Sequence, residues 1–266
     1  ALWIKDARLR GLRTRSSGVI AARTVVLTAG TFHGARVLIG HQSRAEGRFG
    51  DPASDQLADS LRAVGLSMDR LKTGTPPRLH KDSIDYAQLK RQPGLQPPPL
   101  FSLAARKERN ELFHVEQSKE RARARCAMFH VEHESSEMAP WAPGSDQIPC
   151  WLGETNERTH EIIRRNLKKS SLYGGQVTGT GVRYCPSIED KIVKFPDRNA
   201  HHVFVEPEGR GNPRIYPNGT SNSLPVEVQE EMIHSIRGLE RAEFIRPGYA
   251  IEYDFVDPTQ LNHSLE

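Results

Sequence analysis

The stretch Thr24-Val25-Val26-Leu27-Thr28-Ala29-Gly30-Thr31-Phe32 decides the fold class. Its first five residues are β-branched or aliphatic and read as a strand. The strand runs into a small-residue turn, the device by which α/β folds bring backbone N–H groups close to a nucleotide. Many buried strands also end in glycine, so alone the stretch argues for an α/β class and little more. Just upstream, Ser16-Ser17-Gly18 is a turn signal and Val19 to Ala22 a short strand, which suggests a hairpin or meander.

Downstream, helical and extended signals alternate. Ser54 to Val64 reads as a helix with Leu57, Ala58, Leu61 and Val64 on one face and Gly65 as its stop. Leu71 to Arg78 (LKTGTPPR) reads as an extended loop, because its two prolines forbid a helix. It offers Lys72, Arg78 and several hydroxyls to an anion. Asn156 to Lys169 is a helix with a basic end, Val203 to Val205 a strand, Val226 to Leu239 a second amphipathic helix and Gly248 to Phe255 a strand. This mixture argues for α/β or α+β.

The 266 residues suffice for one large domain or two small ones. No apolar run approaches membrane-spanning length, and no signal peptide is evident, so the chain reads as soluble. Cys126, Cys150 and Cys185 form no CxxC pair, which argues against structural zinc and for a reducing compartment. The net charge of +4 suits a polyanionic partner without requiring one. Pro93 to Pro99 marks a linker, and Ala104 to Ser145 is charged and poor in aliphatics, as a flexible insertion would be. It holds a near-repeat, Phe113 to Gln117 against Phe129 to His133. His130, His133, Glu132 and Glu134 invite a metal reading there, which the composition favours less than a charged insertion; no metal site is expected.

The chemistry concentrates in Gly181 to Phe195, GVRYCPSIEDKIVKF. Pro186 pushes Cys185 out of the helical region toward an extended or turn conformation. Ser187 is a candidate N-cap for a helix beginning at Ile188, with Asp190 three residues on. A cysteine just before a helix start feels partial positive charge, which favours thiolate. Reactive cysteine, nucleotide-binding turn and plain loop-to-helix junction all fit these residues.

The motifs together resemble the MnmG/GidA family of tRNA-modifying flavoproteins. The resemblance rests on VVLTAGTF (Val25 to Phe32), GRFGDPAS (Gly47 to Ser54), RLKTGTPPR (Arg70 to Arg78), DSIDY (Asp82 to Tyr86), TNERTHEIIRRNL (Thr155 to Leu167), RYCPSIEDK (Arg183 to Lys191), EPEG (Glu206 to Gly209), YPNG (Tyr216 to Gly219), SLP (Ser223 to Pro225) and RPGYAIEYDFVDP (Arg246 to Pro258). It leaves about Ala104 to Asp146 uncovered.

The resemblance implies an α/β protein: part of an FAD-binding Rossmann-type domain, residues 1–72 and 246–266, with an inserted α+β NADH-binding domain, residues 73–245. Residues 104–146 would be a flexible insertion within the latter. It implies an enzyme that adds a carboxymethylaminomethyl group to C5 of wobble uridine in tRNA. The family uses FAD, NADH and a folate one-carbon donor, and works as a homodimer with an MnmE-type GTPase. The implied compartment is the cytoplasm, or the mitochondrion of a eukaryote, with no membrane partner.

By the same resemblance, Gly30, Thr31 and Ser54 contact FAD. The stretch Gly181, Val182, Arg183, Tyr184, Cys185, Pro186, Ser187, Ile188, Glu189, Asp190, Lys191, Ile192, Val193, Lys194 and Phe195 serves NADH. Cys185 is the implied catalytic residue, nucleophilic or proton-transferring. The family's GxGxxG turn does not occur in this sequence, and both ends read as cuts through a longer protein. The expectation is therefore an internal fragment that does not hold flavin stoichiometrically by itself. The alternative is a non-catalytic fragment acting only as a folding or interaction module. Ala35, Val182, Thr220 and Asn222 depart from the family pattern and bear on loop geometry.

Overall fold

A computed structural model describes residues 1–14, 16–28, 30–96, 98–108 and 147–264. Ala29, Cys126, the near-repeat and its histidines and glutamates lie outside the described residues. The chain divides into two compact units, residues 1–90 with 152–266 and residues 91–151. In the second, residues 103–108 are helical and the Gln147 side chain donates to the Leu95 carbonyl at 2.8 Å. Among the described residues no helix is long and apolar enough to cross a membrane.

The first unit opens with a three-stranded antiparallel meander: β1 (Leu2–Lys5), β2 (Arg8–Arg13) and β3 (Val19–Ala21). The expected strand over Thr24 to Thr28 does not form, and Val26 is 84% exposed. A strand needs a ladder as well as β-branched residues, and β2 already pairs with β3. Only the turn is as expected: Gly30–Phe32 is one 3-10 turn, opened by Gly30 at φ +65°.

A five-stranded sheet follows, built from β4 (Arg36–Ile39), β5 (Gln42–Ala45), β6 (Met68–Thr75), β10 (Thr180–Gly181) and β14 (Tyr249–Val256). Its order is β10-β6-β14-β4-β5. Residues 68–75, expected in part as a loop, form its longest pairing. Every residue of β6 lies opposite one of β14, from Met68 against Val256 to Thr75 against Tyr249. Pro76 and Pro77 end the strand, because neither can donate to a ladder. β10 joins β6 in parallel, and the other pairings of this sheet are antiparallel.

Register sorts this sheet into two unlike faces, since residues directly opposite each other share a face. Ile251 faces Val37 and Thr73 across the ladders, and with Ala35 and Tyr249 it forms an apolar cluster joined by Phe32, Ile39 and Tyr253. On the other face Glu252 lies opposite Arg36 and Lys72, and Asp254 opposite Arg70. The carboxylates of that face are buried: Asp254 accepts from Arg62 and Arg70, each at 2.7 Å. Glu252 accepts from the Thr178 and Gly179 N–H groups at 2.5 Å each. The helix α1 (Asp55–Ala63), expected from Ser54 on, supplies Arg62 and buries Ala58 and Leu61.

A further sheet of this unit runs in the order β13-β7-β12-β11. Its strands are β7 (Arg78–His80), β11 (His202–Pro207), β12 (Arg214–Asn218) and β13 (Phe244–Arg246); β8 (Lys90–Gln92) and β9 (Cys150–Glu154) fall where the chain passes from one unit to the other. Three helices accompany it: α2 (Glu157–Asn166), α3 (Ile188–Lys194) and α4 (Val226–His234). Asn156 caps α2 reciprocally with Thr159, as a capping box does. The main core of the unit is Ile162, Ile163, Ile188, Ile192, Val203, Val205, Ile215, Leu224, Met232, Ile233, Ile236 and Leu239, all at most 2% exposed. Each such side chain contributes about 1.5–3 kcal/mol by leaving water. The unit therefore carries sheets and helices in alternation, the expected α/β class.

Candidate functional site

β6 is the platform on which the cysteine segment is laid. Gly181 lies opposite Lys72 in the parallel ladder, and the Val182 N–H donates to the Lys72 carbonyl at 3.0 Å. The chain then turns, with the Cys185 N–H directed at the Val182 carbonyl at 3.4 Å. Cys185 is half-buried, and its sulfur accepts a hydrogen bond from the Thr73 hydroxyl at 3.2 Å. The sulfur also lies 3.8 Å from the Gly74 carbonyl oxygen, within reach of the thiol proton.

The helix behind the cysteine starts as its sequence requires. Ser187 Oγ accepts from the Asp190 N–H at 3.2 Å and caps α3. Asp190 takes further bonds from Tyr173 and Lys194, both at 3.2 Å. Burial pushes the Asp190 carboxyl upward, but Lys194, Lys72 and Tyr173 outweigh it and leave the group below the usual carboxylate range. Burial, then the Asp190 charge, pushes Tyr173 up to about 12.

Lys191 donates to the Gly219 carbonyl at 3.0 Å. Burial draws its ammonium down from the ordinary lysine value, and the opposing charge of Cys185 partly restores it. That coupling places Lys191 within electrostatic reach of the sulfur.

Of the fifteen residues expected to serve a nucleotide, Ser187, Ile188, Glu189 and Ile192 are buried. Ile188 and Ile192 belong to the core. Glu189 points inward to accept from the Ser223 N–H at 2.8 Å and hydroxyl at 3.1 Å, and burial raises its carboxyl above the usual range. Gly181, Arg183, Tyr184, Pro186, Val193, Lys194 and Phe195 are exposed, while Val182, Cys185, Asp190 and Lys191 lie between. The Arg183 guanidinium sits 5.2 Å from the centre of the Tyr184 ring. Thr220 and Asn222 build the loop that presents Ser223. Thr220 donates to the Pro217 carbonyl at 2.8 Å, and Asn222 accepts from the Leu224 N–H at 3.0 Å.

Gly30 and Thr31 lie in the 3-10 turn, and a Cβ placed on Gly30 would meet only open space. Ser54 is the exposed N-cap of α1, and its side chain makes no capping bond. Lys72 and Arg78, which the sequence offers to an anion, are both engaged within the chain. Lys72 is 2% exposed and faces Glu189 and Asp190 electrostatically. Arg78 is committed to Glu208 at 2.5 Å, to Thr75 at 2.9 Å and to the ring of Tyr216. The residue that sequence reading missed is Thr73. A threonine in a strand carries no local sign that a cysteine more than a hundred residues later will meet it. Among the described residues no group of His, Cys, Asp and Glu could hold a metal ion.

A profile of the family described as "Glucose inhibited division protein A" matches residues 1–139 and again residues 115–266. The chain belongs to the GidA family. Aquifex aeolicus GidA in its form I crystal is 43% identical, with a TM-score of 0.77, over 100% of this chain and 39% of that one. The form II crystal gives 41% identity and a TM-score of 0.75, over 100% of this chain and 37% of that one. The chain thus spans about two-fifths of the solved GidA chains it matches. Membership is in keeping with the Rossmann-type FAD-binding fold that the motifs implied.

Proposed function

We propose that this chain is part of a flavoprotein that modifies the wobble uridine of tRNA. In this reading the whole protein adds a carboxymethylaminomethyl group to C5 of that base. It uses FAD, NADH and a folate one-carbon donor, works with an MnmE-type GTPase, and is a cytoplasmic or mitochondrial homodimer. Residues 1–72 and 246–266 are assigned to the FAD-binding domain and 73–245 to the inserted NADH-binding domain.

The observation that carries the reading is the setting of Cys185. A free thiol stands at the entry to α3, 3.2 Å from a hydroxyl donor and within electrostatic reach of Lys191. The residues present also fit the implied cofactors. Gly30 leaves room for close approach to the backbone, and Ser54 keeps its hydroxyl outside the capping bond at the start of α1. When bound, FAD and NADH supply the hydride chemistry. The chain's own residues have separate tasks: Arg183 and Tyr184 offer a cation and a flat ring to a nucleotide. Lys191 gives up its proton more readily than a solvated lysine, and Cys185 acts as nucleophile or proton carrier.

Titration of NADH into the chain, followed by its fluorescence, tests the nucleotide role. Arg183→Ala and Lys191→Ala should each weaken binding about tenfold, the loss of one charge-assisted hydrogen bond. Absence of binding, or affinity unchanged in both variants, removes the role from this segment.

A further inference from the structure

We propose that Thr73 is the positioning residue of Cys185: its hydroxyl fixes the sulfur and stabilises negative charge there when the cysteine acts. The proposal rests on the reading of Cys185 as the reactive group.

Both partners of the contact are anchored to one rigid element. Thr73 lies inside β6, opposite Ile251 of β14, and Gly74 lies opposite Ala250. Cys185 is held from its own side by the Gly181–Lys72 register and the Val182 bond to the Lys72 carbonyl. Pro186 and the Ser187 cap fix the chain beyond it. The two groups nearest the sulfur differ in what they offer. The Gly74 carbonyl can only accept, so it serves the protonated thiol and nothing else. The Thr73 hydroxyl donates at 3.2 Å and serves thiol and thiolate alike. Hydrogen bonds to an ionised acceptor are about twice as strong as neutral ones, so the Thr73 contact tightens as charge develops on sulfur. Thr73 makes no other side-chain hydrogen bond among the described residues, so nothing competes for the hydroxyl. Two titratable groups also lie within electrostatic range of the sulfur. Lys191 on α3, its ammonium tied to the Gly219 carbonyl at 3.0 Å, and Tyr253 on β14 both feel its charge. Neither is hydrogen-bonded to it in this structure, which leaves Thr73 as the directional donor.

The test is alkylation of Cys185 by iodoacetamide, in which the sulfur displaces iodide and forms a carbon–sulfur bond. Cys126→Ser and Cys150→Ser make Cys185 the sole thiol of the chain. Thr73→Val, of nearly equal shape, should slow alkylation about tenfold at neutral pH and move the rate profile about one unit toward higher pH. Thr73→Ser should restore the parent profile within about twofold, because it keeps the donor. Thr73→Ala should show the same displacement as Thr73→Val, and stands in for it if that variant fails to fold. A parent-like profile in Thr73→Val or Thr73→Ala, or failure of Thr73→Ser to restore it, overturns the proposal. The assay needs no flavin, nicotinamide or tRNA. Full modification activity in a full-length Cys185→Ser protein would instead overturn the reading of Cys185, and with it the catalytic use of Thr73.

Discussion

Replacing Asp254 by asparagine tests whether the charged face of the five-stranded sheet holds the fold together. Asp254 is only 4% exposed and accepts from Arg62 and Arg70, each at 2.7 Å. Asn keeps the shape and one acceptor oxygen but removes the charge and one acceptor. Two bonds between ionised partners, each worth about 1.5–3 kcal/mol, become at best one bond from a guanidinium to a neutral oxygen, at the lower end of that range. The loss is then discounted for solvent. Arg62 is half exposed and re-enters water when released. A cavity of about 230 Å³ beside Asp254 is lined by Arg36, Arg62 and Arg70 and gives water a way in. Arg70 fares worse: one terminal nitrogen is already buried without a partner, and its remaining carboxylate, Glu252, lies 3.6 Å away. The net cost is about 2 kcal/mol, between an exposed pair and a fully buried one. For a chain of this size that lowers the melting temperature by about 4–8 °C. Urea and thermal unfolding, followed by circular dichroism, read both quantities. The coupling should appear in the cycle with Arg70→Met and be smaller with Arg62→Met. A loss under about 0.5 kcal/mol refutes the reasoning, because it would put this face in the energetic class of surface ion pairs.

Two further outcomes follow from buried polar groups of the same unit. Burial raises the Glu189 carboxyl, so the folded chain holds a proton that the unfolded chain has released. Its contribution is full below the ordinary glutamate value and is lost as pH rises toward the folded value. Glu189→Gln should therefore remove a decline in stability above about pH 4.5, seen as a pH-dependent gap between the urea midpoints of parent and variant. A constant gap rejects that assignment. Gln229 is fully buried and donates to the Leu224 carbonyl at 2.8 Å and the Gly248 carbonyl at 2.9 Å, while accepting from the Gly248 N–H at 2.7 Å. Gln229→Leu strands those three backbone groups and should cost about 3 kcal/mol in urea melts; a cost below about 1 kcal/mol would show that water replaces the amide.

The helices were legible because their signals are local. Ser54, Asn156 and Ser187 stand at the starts of α1, α2 and α3, and apolar spacing marks the faces that the core buries. Even the misjudged end of α4 has a local cause. Ser235 turns its hydroxyl to the Met232 carbonyl at 2.6 Å, and Gly238 adopts φ +84°. The helix stops at His234, yet Ile236 and Leu239 still reach the core through the turns that follow. Strands were harder to read. Thr24 to Thr28 has the composition of a strand but no ladder, while Met68 to Thr75, with charged, small and hydroxyl residues, pairs along its whole length. The partner of β6 lies more than 170 residues later, and nothing near Lys72 or Thr73 in sequence announces it.

The candidate site divides along the same line. Cys185, Pro186 and Ser187 were readable as a cysteine before a capped helix, since the cap is a matter of three residues. What surrounds the sulfur depends on which face of β6 each side chain takes, and only register with β14 decides that. A one-residue slip would exchange the faces. Thr73 would leave the sulfur for the charged face, and Lys72 would leave Glu189 and Asp190. The pairing that buries Asp254 and Glu252 thus also sets Thr73 beside Cys185. Stability and chemistry are joined here by one ladder. A substitution on the charged face that shifts the register should disturb cysteine reactivity without touching the cysteine, whereas Asp254→Asn, which keeps the register, should leave it as it was.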